Sequence, residues 1–532
     1  MLQSLKKTLS RRDLFRWSAL LTAPALLQSR AAGEAQSRAQ PPPRDVYRAI
    51  GVRPLINARG TFTIISGSLM LPEVRTAMDA AAQQHVHLDE LMAAIGARLA
   101  ELTKAEWGMV SSGCAAALTH ATAACVAGGN PDLHIRIPNL SGFAKDEVII
   151  PRHSRNVYDA AVRAVGVRIV DVGTAEELEA AFGPRTAMVY ILAGPNADSG
   201  PLSTKAICAI ARQKQVPVLV DAAAEVLTVP NVHLENGATL VGYSGGKCLR
   251  GPQSAGLLLG RKDLVQAAWI HSAPHHGFAR SMKVGKEEAI AMLTAVEMWT
   301  RRDHQAEWNR WLGWLDHIAR HVSRIDGVTT AITETTELSN RTPALSIRWD
   351  AARLGVTGAA VARHLMDTEP RIATPGGRDR DGLTSISVTP YQMSAGDEKI
   401  VAARIHDTLA RPPKSIRIDA PAAMAAPAAD LSGRWNVRIE YVAAASTHAL
   451  HLKQTGNRVD GTHQGDFVSR DLAGTIDGDR VQLSSSYGER NGDALSFRFN
   501  GTVTGNEMAG SLDMGEYLTA KWTARRHEYR RG

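Results

Sequence analysis

The hydrophobic and polar positions of residues 45–410 form two alternating kinds of segment. Short and almost wholly apolar runs, such as Val216–Val220, are typical of strands buried on both faces. Longer segments with apolar residues at helical spacing, such as Leu88–Leu102, are typical of amphipathic helices. Because the two kinds alternate with short connections, they predict an α/β domain with a mostly parallel sheet and helices on both faces.

Towards the end of this region the pattern becomes more helical. One long amphipathic helix is predicted from Glu287 to about Arg320, followed by the strands and helices of a smaller α+β domain. The tryptophans of this helix form a stripe that favours packing in a core or between subunits: Trp299, Trp308, Trp311 and Trp314.

Residues 431–532 have a third pattern, in which short stretches of alternating apolar and polar residues are separated by turn signals. These turns are Gln454–Asn457, Ile476–Asp479, Arg490–Asp493 and Thr504–Asn506. Their spacing predicts about eight antiparallel strands that close into a small barrel. The opening Gly433-Arg-Trp435 resembles that of lipocalin- or avidin-like barrels. A stability or interaction module is favoured over a ligand cup.

The 532 residues are too many for one ordinary domain. The patterns, with the Pro- and Ala-rich stretches, predict the following segments: a signal peptide 1–31, a spacer 32–44, a large domain with an N-terminal arm 45–295, a small α+β domain 296–410, a linker 411–430 and a β-barrel-like domain 431–532.

The N-terminus predicts export. Ser10-Arg-Arg-Asp-Leu-Phe15 resembles the twin-arginine signal, and the apolar run Trp17–Leu27 is too short to remain as a membrane anchor. Small residues at Ser29–Ala31 offer a cleavage point. We expect passage through the twin-arginine translocase to the periplasm or the outside, already folded. A chance Arg-Arg pair before a short apolar helix is the alternative.

Composition and charge exclude several classes of function. Of the net charge of +8, the first 31 residues carry +5, which leaves an unremarkable +3 and gives nucleic-acid binding no support. The four cysteines lack metal-ligand spacing and are interpreted as small core or loop residues, with a disulfide left open. His271, His275 and His276 have no carboxylate or cysteine at useful spacing, so no metal site is predicted.

Candidate chemistry begins with Lys247, in a glycine-rich turn within Val241–Gly256. A lysine there can form a Schiff base with an aldehyde cofactor such as pyridoxal phosphate (PLP), although a solvated loop lysine fits the same stretch. Asp221 follows the apolar run Val216–Val220, where a carboxylate needs a cation such as a protonated pyridine nitrogen. It would equally cap the following helix.

Two further stretches can hold parts of such a cofactor. A short strand from Trp107 leads through Ser111-Ser-Gly113 into a helix of small residues, whose free N–H groups suit a phosphate. Many such turns hold nothing. His153 follows the strand that ends at Ile150, so its ring could stack on a cofactor, or it is a surface loop histidine.

Taken together, several stretches resemble one family, the fold-type I PLP-dependent enzymes of the group that contains selenocysteine synthase and D-glucosaminate-6-phosphate ammonia-lyase. The resemblance covers roughly residues 45–410. The matching stretches are Gly51–Asn57, Gly67–Met70, Asp89–Leu91, Ser112–Ala116, Asn156–Asp159, Val220–Glu225, Ser244–Gln253 and Met282–Glu287.

The resemblance implies roles for individual residues. Lys247 would be the Schiff-base lysine and proton carrier, Asp221 the partner of the pyridine nitrogen and His153 the residue that stacks on the ring. Phosphate contacts are implied for Ser112, Gly113, Cys114, Ala115 and Ser244. Substrate contacts are implied, as hypotheses, for Arg59, Arg250, Gln253, Arg280, Lys283 and Lys286. A homodimer or larger homo-oligomer is expected.

Departures from the family limit what is carried over. The chain has an export signal where selenocysteine synthase has its tRNA-binding region, and phosphorylated sugar acids are not typical of the periplasm. We therefore expect an exported PLP-dependent lyase, acting by α,β-elimination or ammonia release on an amino acid or amino-sugar acid. An aminotransferase or aldolase is the alternative, and a non-catalytic PLP- or ligand-binding protein is the second.

Overall fold

The computed structural model describes residues 45–377, 382–418, 424–488 and 494–528. The predicted signal peptide, the spacer and part of the predicted linker 411–430 lie outside the described residues. Residues up to Pro54 form a separate unit, whose described part is exposed and contains one 3₁₀ turn, Arg48–Ile50. All that follows concerns the unit from Leu55 onward. Within the described ranges, no helix has the length and apolar character needed to cross a membrane.

The α-helices are α1 Pro72–Ala82, α2 Leu88–Thr103, α3 Cys114–Ala127, α4 Pro131–His134, α5 Ala160–Arg163, α6 Ala175–Ala181, α7 Pro195–Asp198, α8 Thr204–Gln213, α9 Val232–Glu235, α10 Lys262–Ile270, α11 Lys286–Arg301, α12 His304–Val322, α13 Ala351–Leu354, α14 Gly358–Asp367 and α15 Asp397–Ala410. The strands before the barrel are β1 Ile56–Asn57, β2 Trp107–Ser111, β3 Glu147–Pro151, β4 Arg168–Val172, β5 Thr186–Leu192, β6 Val218–Asp221, β7 Leu240–Ser244, β8 Gly256–Gly260, β9 Thr329–Thr333, β10 Ala344–Asp350, β11 Ile372–Ala373 and β12 Leu383–Val388.

A seven-stranded sheet forms the centre of the large domain, in the order β2-β8-β7-β6-β5-β3-β4. Strands β7, β6, β5, β3 and β4 are mutually parallel, and β8 is antiparallel to both of its neighbours. The predicted mostly parallel α/β sheet is confirmed. Because β2 then runs in the same direction as β7, the carboxyl ends of six strands meet at one edge, where ligands bind in such sheets.

The bounds of strand β6 differ from the prediction, and the difference concerns Asp221. Asp221 was predicted just past its strand, but it is the last residue of β6, which begins at Val218 rather than Val216. Pro217 has no N–H to donate to a neighbouring strand, so the regular strand begins at the next residue, Val218.

The single helix predicted from Glu287 to Arg320 is wrong. Two helices, α11 and α12, are separated by Arg302 and Asp303. The side chain of Asp303 accepts a hydrogen bond from the N–H of Ala306 (2.9 Å) and thereby caps α12. The helical periodicity continues across the break, so the pattern of apolar residues did not reveal it.

The small α+β domain contains a three-stranded antiparallel sheet in the order β12-β10-β9. Its core includes Leu315 and Ile318 of α12 and the buried Trp349 of β10. Strand β12 was not predicted. Strand β1 of the N-terminal segment pairs in parallel with β11, which connects that segment to the small domain.

The C-terminal strands form a closed barrel of eight, as predicted: β13 Gly433–Glu440, β14 Ala445–Thr455, β15 Arg458–Gln464, β16 Ser469–Asp477, β17 Arg480–Gly488, β18 Ala494–Thr504, β19 Glu507–Asp513 and β20 Thr519–Arg526. Trp435, Phe499 and Trp522 are buried in its interior, and the indole of Trp435 donates to the carbonyl of Leu431 (2.8 Å). Side chains therefore fill much of the barrel, as is usual for eight strands.

The histidines flagged in the sequence are dispersed. His271 is buried and stacks on His134 at 4.5 Å, His275 contacts Asp89 (3.2 Å), and His276 is exposed. The described residues contain no group of three or more His, Cys, Asp or Glu side chains that could hold a metal ion.

His120 on α3 is also fully buried. Burial lowers the pKa of His271 to about 3 and that of His120 to about 4. For His271, the nearby His134 and His120 lower the pKa further, whereas the Ala279 backbone opposes the shift at His120. Both rings are therefore neutral at neutral pH.

Acid should destabilise the protein through these two rings. In the unfolded chain they titrate near pH ~6.5, so below that pH the unfolded state binds more protons. The contribution of the two histidines to the free energy of unfolding is fully present above pH ~6.5. It is lost as the pH falls towards their folded pKa values, by up to about 1.4 kcal/mol per histidine per pH unit. Urea unfolding measured at several pH values checks this dependence.

A matched pair of variants isolates the effect. His271→Leu should show a shallower loss of stability with acid than the wild type, and the exposed His276→Leu should keep the wild-type slope. An unchanged slope in His271→Leu would contradict the assignment.

Candidate active site

Strand register brings the predicted phosphate contact Ser244 close to the end of the strand that leads into the predicted phosphate turn Ser112–Ala115. In the order β2-β8-β7, Ser111, Gly256 and Ser244 lie side by side. A Cβ added at Gly256 would lie only 2.5 Å from the carbonyl carbon of Gly113 and 2.6 Å from the amide nitrogen of Cys114. Glycine at position 256 therefore allows β8 to approach the turn before α3, next to the end of β7.

The turn itself faces open space. Gly113 has a φ of +93°, and no protein atom lies within 4 Å of the position a Cβ would take. Ser111 Oγ donates to the carbonyl of Gly113 (2.8 Å), and Ser112 Oγ donates to the carbonyl of Met282 (2.9 Å). The first amides of α3 follow directly, so the open turn is suited to an anion such as a phosphate.

Asp221 is held by several donors although it is only 2% exposed. Tyr190 Oη donates to Oδ2 (2.9 Å), and the N–H of Ala223 donates to Oδ1 (3.1 Å). The thiol of Cys114 also approaches Oδ1 (3.6 Å), and Asn156 Nδ2 donates to Tyr190 Oη (3.0 Å). Half-buried Asn156 and the buried Tyr190 and Asp221 thus form one chain of hydrogen bonds.

Sequence reasoning missed two members of this chain. Tyr190 was not singled out in the sequence, and Asn156 was noted only within the matching stretch Asn156–Asp159. A hydroxyl within the apolar run of β5 was the available signal. Its use required the adjacency of β5 and β6, which strand order alone decides.

The electrostatics of Asp221 fit a cationic partner. Burial raises the pKa of its carboxyl, and the hydrogen bonds from Ala223 and Tyr190 and the charge of Lys247 oppose that shift without cancelling it. Because the protein supplies too little positive charge here, a protonated pyridine nitrogen would complete the site.

Lys247 lies in a turn that is held by backbone hydrogen bonds from the segment directly before α1. The N–H of Ser68 donates to the carbonyl of Gly246 (3.1 Å), and the N–H of Leu71 donates to the carbonyl of Arg250 (3.2 Å). The charge of Lys247 lowers the pKa of Asp221, so the two predicted residues act on one another electrostatically. This proximity is what an attachment lysine opposite the ring-nitrogen partner requires.

His153 occupies the 3₁₀ turn Arg152–Ser154 directly after β3. It is half-buried, burial lowers its pKa, and its Nε2 is buried without a hydrogen-bond partner in the described structure. A neutral ring at this edge of the sheet is suited to stack on an aromatic cofactor.

The predicted substrate residues have unequal surroundings. Arg280 and Lys283 are exposed. The hydrogen bond from Ser112 to Met282 connects their segment to the predicted phosphate turn, Ser112–Ala115, called the phosphate turn below. Lys286 forms an ion pair with the adjacent Glu287.

The other three predicted substrate residues lie within or beside the segment that precedes α1. Arg59 stacks on Phe62 at 4.3 Å, Arg250 donates to the carbonyl of Leu69 (3.0 Å), and Gln253 packs near Gly67. Substrate contact by any of the six stays a prediction.

Comparison with known proteins identifies relatives over about two thirds of the chain. The Aminotransferase class-V family model matches residues 153–277. The chain is 29% identical over 372 residues to a D-glucosaminate-6-phosphate ammonia lyase of Salmonella typhimurium (strain 14028s / SGSC 2262), covering 68% of this chain and 97% of the relative. It is 32% identical over 379 residues to a 5'-C-glycyluridine monooxygenase-decarboxylase of Streptomyces sp, covering 68% and 92%.

A solved structure gives the same result. The structure of a D-glucosaminate-6-phosphate ammonia-lyase matches with a TM-score of 0.62 and 28% identity, and covers 69% of this chain and 98% of that one. The fold of this region is therefore that of a known class of protein.

The close approach at Gly256 is testable. Gly256→Ala should displace the Gly113 turn and weaken PLP binding about tenfold or more, because losing one hydrogen bond to a charged group costs about 1.5–3 kcal/mol. Absorbance titration with PLP measures the affinity. Gly313→Ala, with no atom within 4 Å, is the matched control and should bind PLP normally. A folded Gly256→Ala protein with unchanged affinity would contradict the assignment.

Proposed function

Because the chain belongs to the fold-type I family of PLP-dependent enzymes, we propose that it is a lyase acting on an amino acid or amino-sugar acid. The chain is a PLP-dependent enzyme. The observation that carries the proposal is the set of hydrogen bonds that joins Asn156, Tyr190 and Asp221, on which the charge of Lys247 also acts. The relative named an ammonia lyase, 97% of which is covered, supports release of ammonia as the reaction.

The residues present fit the cofactor. The Ser112–Ala115 turn and Ser244 would hold its phosphate, Asp221 its ring nitrogen and His153 one face of its ring. When bound, PLP supplies an electron-withdrawing ring that stabilises negative charge at the α-carbon of the substrate.

Asp221 would hold a proton on the ring nitrogen. Its carboxylate accepts hydrogen bonds from Tyr190 and Ala223, and such bonds favour the charged form of a carboxyl. An ionised Asp221 in turn favours the protonated nitrogen. Asn156, which donates to Tyr190, fixes the direction in which the tyrosine hydroxyl points.

Lys247 would have two tasks. Its Nζ is the point of covalent attachment for the cofactor aldehyde, and it would then remove the proton from the α-carbon of the substrate. A β-hydroxyl would then leave with a proton as water, and the enamine product would tautomerise to an imine that water hydrolyses to a keto acid and ammonia. Backbone hydrogen bonds brace the turn around Lys247, and the charge of Lys247 lowers the pKa of Asp221, which supports these roles.

Aminotransferase chemistry is the second candidate. The class-V aminotransferase model covers residues 153–277, which include Asp221 and Lys247. The same two residues would hold and move the same protons, so the product separates the candidates: ammonia and a keto acid for the lyase, a transferred amine for the aminotransferase.

Lys247→Ala should abolish covalent attachment and turnover. We expect the wild-type protein with PLP to absorb visible light and, after borohydride reduction, to carry the cofactor on the peptide that contains Lys247. Mass spectrometry of the digest and ammonia release from candidate amino acids and amino-sugar acids check this. Lys262→Ala, exposed and stacked on Trp107, is the matched control and should retain both. Cofactor attached elsewhere would overturn the assignment.

We also propose that the enzyme is exported through the twin-arginine translocase and acts as a homodimer or larger homo-oligomer in the periplasm or outside the cell. Ser10–Phe15 and the short apolar run after it support the export, and the family resemblance supports the oligomer.

Replacing both signal arginines tests the route. The Arg11→Lys/Arg12→Lys protein keeps its charge and should remain in the cytoplasm, whereas Arg16→Lys should be exported normally. Cell fractionation measures the distribution. Normal export of the double variant would count against this route.

A further inference from the structure

A cavity of about 810 Å³ lies next to the lysine turn, between α12, the end of α11 and the loops at Val226–Thr228 and Tyr391–Ala395. Cys248 and Arg250 line it, but Asp221, Lys247, His153 and the phosphate turn do not. We propose that this cavity binds a small anionic molecule with a planar heterocyclic ring, separately from the cofactor. Its volume is typical of small-molecule sites.

Aromatic side chains form one wall. Trp308, Trp311 and Trp314 of α12 are half-buried and line the cavity, so the stripe interpreted from the sequence as packing is only partly core. Trp299, by contrast, is buried.

The rings are held in place before any ligand arrives. Trp299 Nε1 donates to the carbonyl of Leu227 (2.7 Å), and Trp308 Nε1 donates to Glu334 (2.6 Å). Trp311 contacts Trp308 at 6.2 Å between ring centroids. A rigid set of indole rings stacks on flat ligands at little cost in conformational entropy.

The charges around the cavity favour an anion. Its lining carries four arginines (Arg250, Arg302, Arg310 and Arg341) but two carboxylates (Glu307 and Glu334). Arg302 pairs with Glu307 (2.8 Å). Burial lowers the pKa of Arg250, and the charge of Arg302 lowers it further. A ligand with a negative group would relieve this excess of positive charge.

Besides the aromatic wall and the excess of arginines, the cavity has a third feature that favours a ligand, the amide of Gln392. It lies in the cavity wall, is only 7% exposed, and neither Nε2 nor Oε1 of its amide has a hydrogen-bond partner in the described structure. A buried amide without partners costs free energy. A ligand edge with an N–H beside a carbonyl, as in a nucleobase, would satisfy both atoms, and a planar ring with that edge also suits the indole wall.

The cavity adjoins the lysine turn, because Cys248 and Arg250 of that turn line it. Arg302 Nη1 donates to the carbonyl of Cys248 (3.3 Å), directly after Lys247. A ligand here would touch the turn while leaving the phosphate turn free for the cofactor. The inference therefore stands independently of the reaction that the enzyme catalyses.

Uridine 5′-monophosphate is a suitable probe, titrated by calorimetry into the PLP-loaded protein. We expect saturable binding at least about tenfold tighter than that of uridine, which lacks the charge, or ribose 5-phosphate, which lacks the ring. The visible absorbance of the cofactor should persist. No binding, equal binding of ribose 5-phosphate, or displacement of the cofactor would each overturn the proposal.

Variants locate the site. Trp308→Leu and Gln392→Leu should each weaken binding about tenfold, and Trp269→Leu, half-buried outside the cavity, should not. Urea unfolding provides the structural readout: a purely structural Gln392 would lower the unfolding midpoint and leave affinity unchanged. That result, or wild-type affinity in a folded Trp308→Leu protein, would overturn the proposal.

Discussion

The buried carboxyl group of Asp221 is the constraint on which the rest of the site depends. A carboxyl that is 2% exposed at the end of an apolar strand is unfavourable as an anion unless donors and a cation surround it. Tyr190 and the N–H of Ala223 are those donors, and the charge of Lys247 acts on it from the glycine-rich turn. A protonated cofactor ring would supply the positive charge that Asp221 still lacks.

Close backbone packing determines where the other half of the cofactor would lie. Gly256 allows β8 to pass against Gly113 and Cys114, which places the open turn before α3 in line with the end of β7. The phosphate turn and the Asp221 network thus belong to the same sheet edge. Cys114 connects them directly, because its amide begins α3 and its thiol approaches Asp221.

The break between α11 and α12 also lies close to the lysine turn, because Arg302 at the break donates to the carbonyl of Cys248. It divides one amphipathic pattern between two cores, with Trp299 packed in the large domain and Leu315 in the small one. The remaining tryptophans of α12 are left lining a cavity with Arg250 and Gln392. A helix that continued straight past Asp303 would remove this separation.

The sequence alone predicted the alternation of strands and helices and the eight-stranded barrel, because these depend on local periodicity and turn signals. Short motifs and the family resemblance singled out Lys247, Asp221 and the Ser112–Ala115 turn as the candidate PLP site. Tertiary structure decided the Asn156–Tyr190 hydrogen bond, the approach of Gly256 to Gly113 and the cavity beside α12. Each of these joins residues far apart in the chain, and strand order and helix breaks, which local patterns do not encode, bring them together.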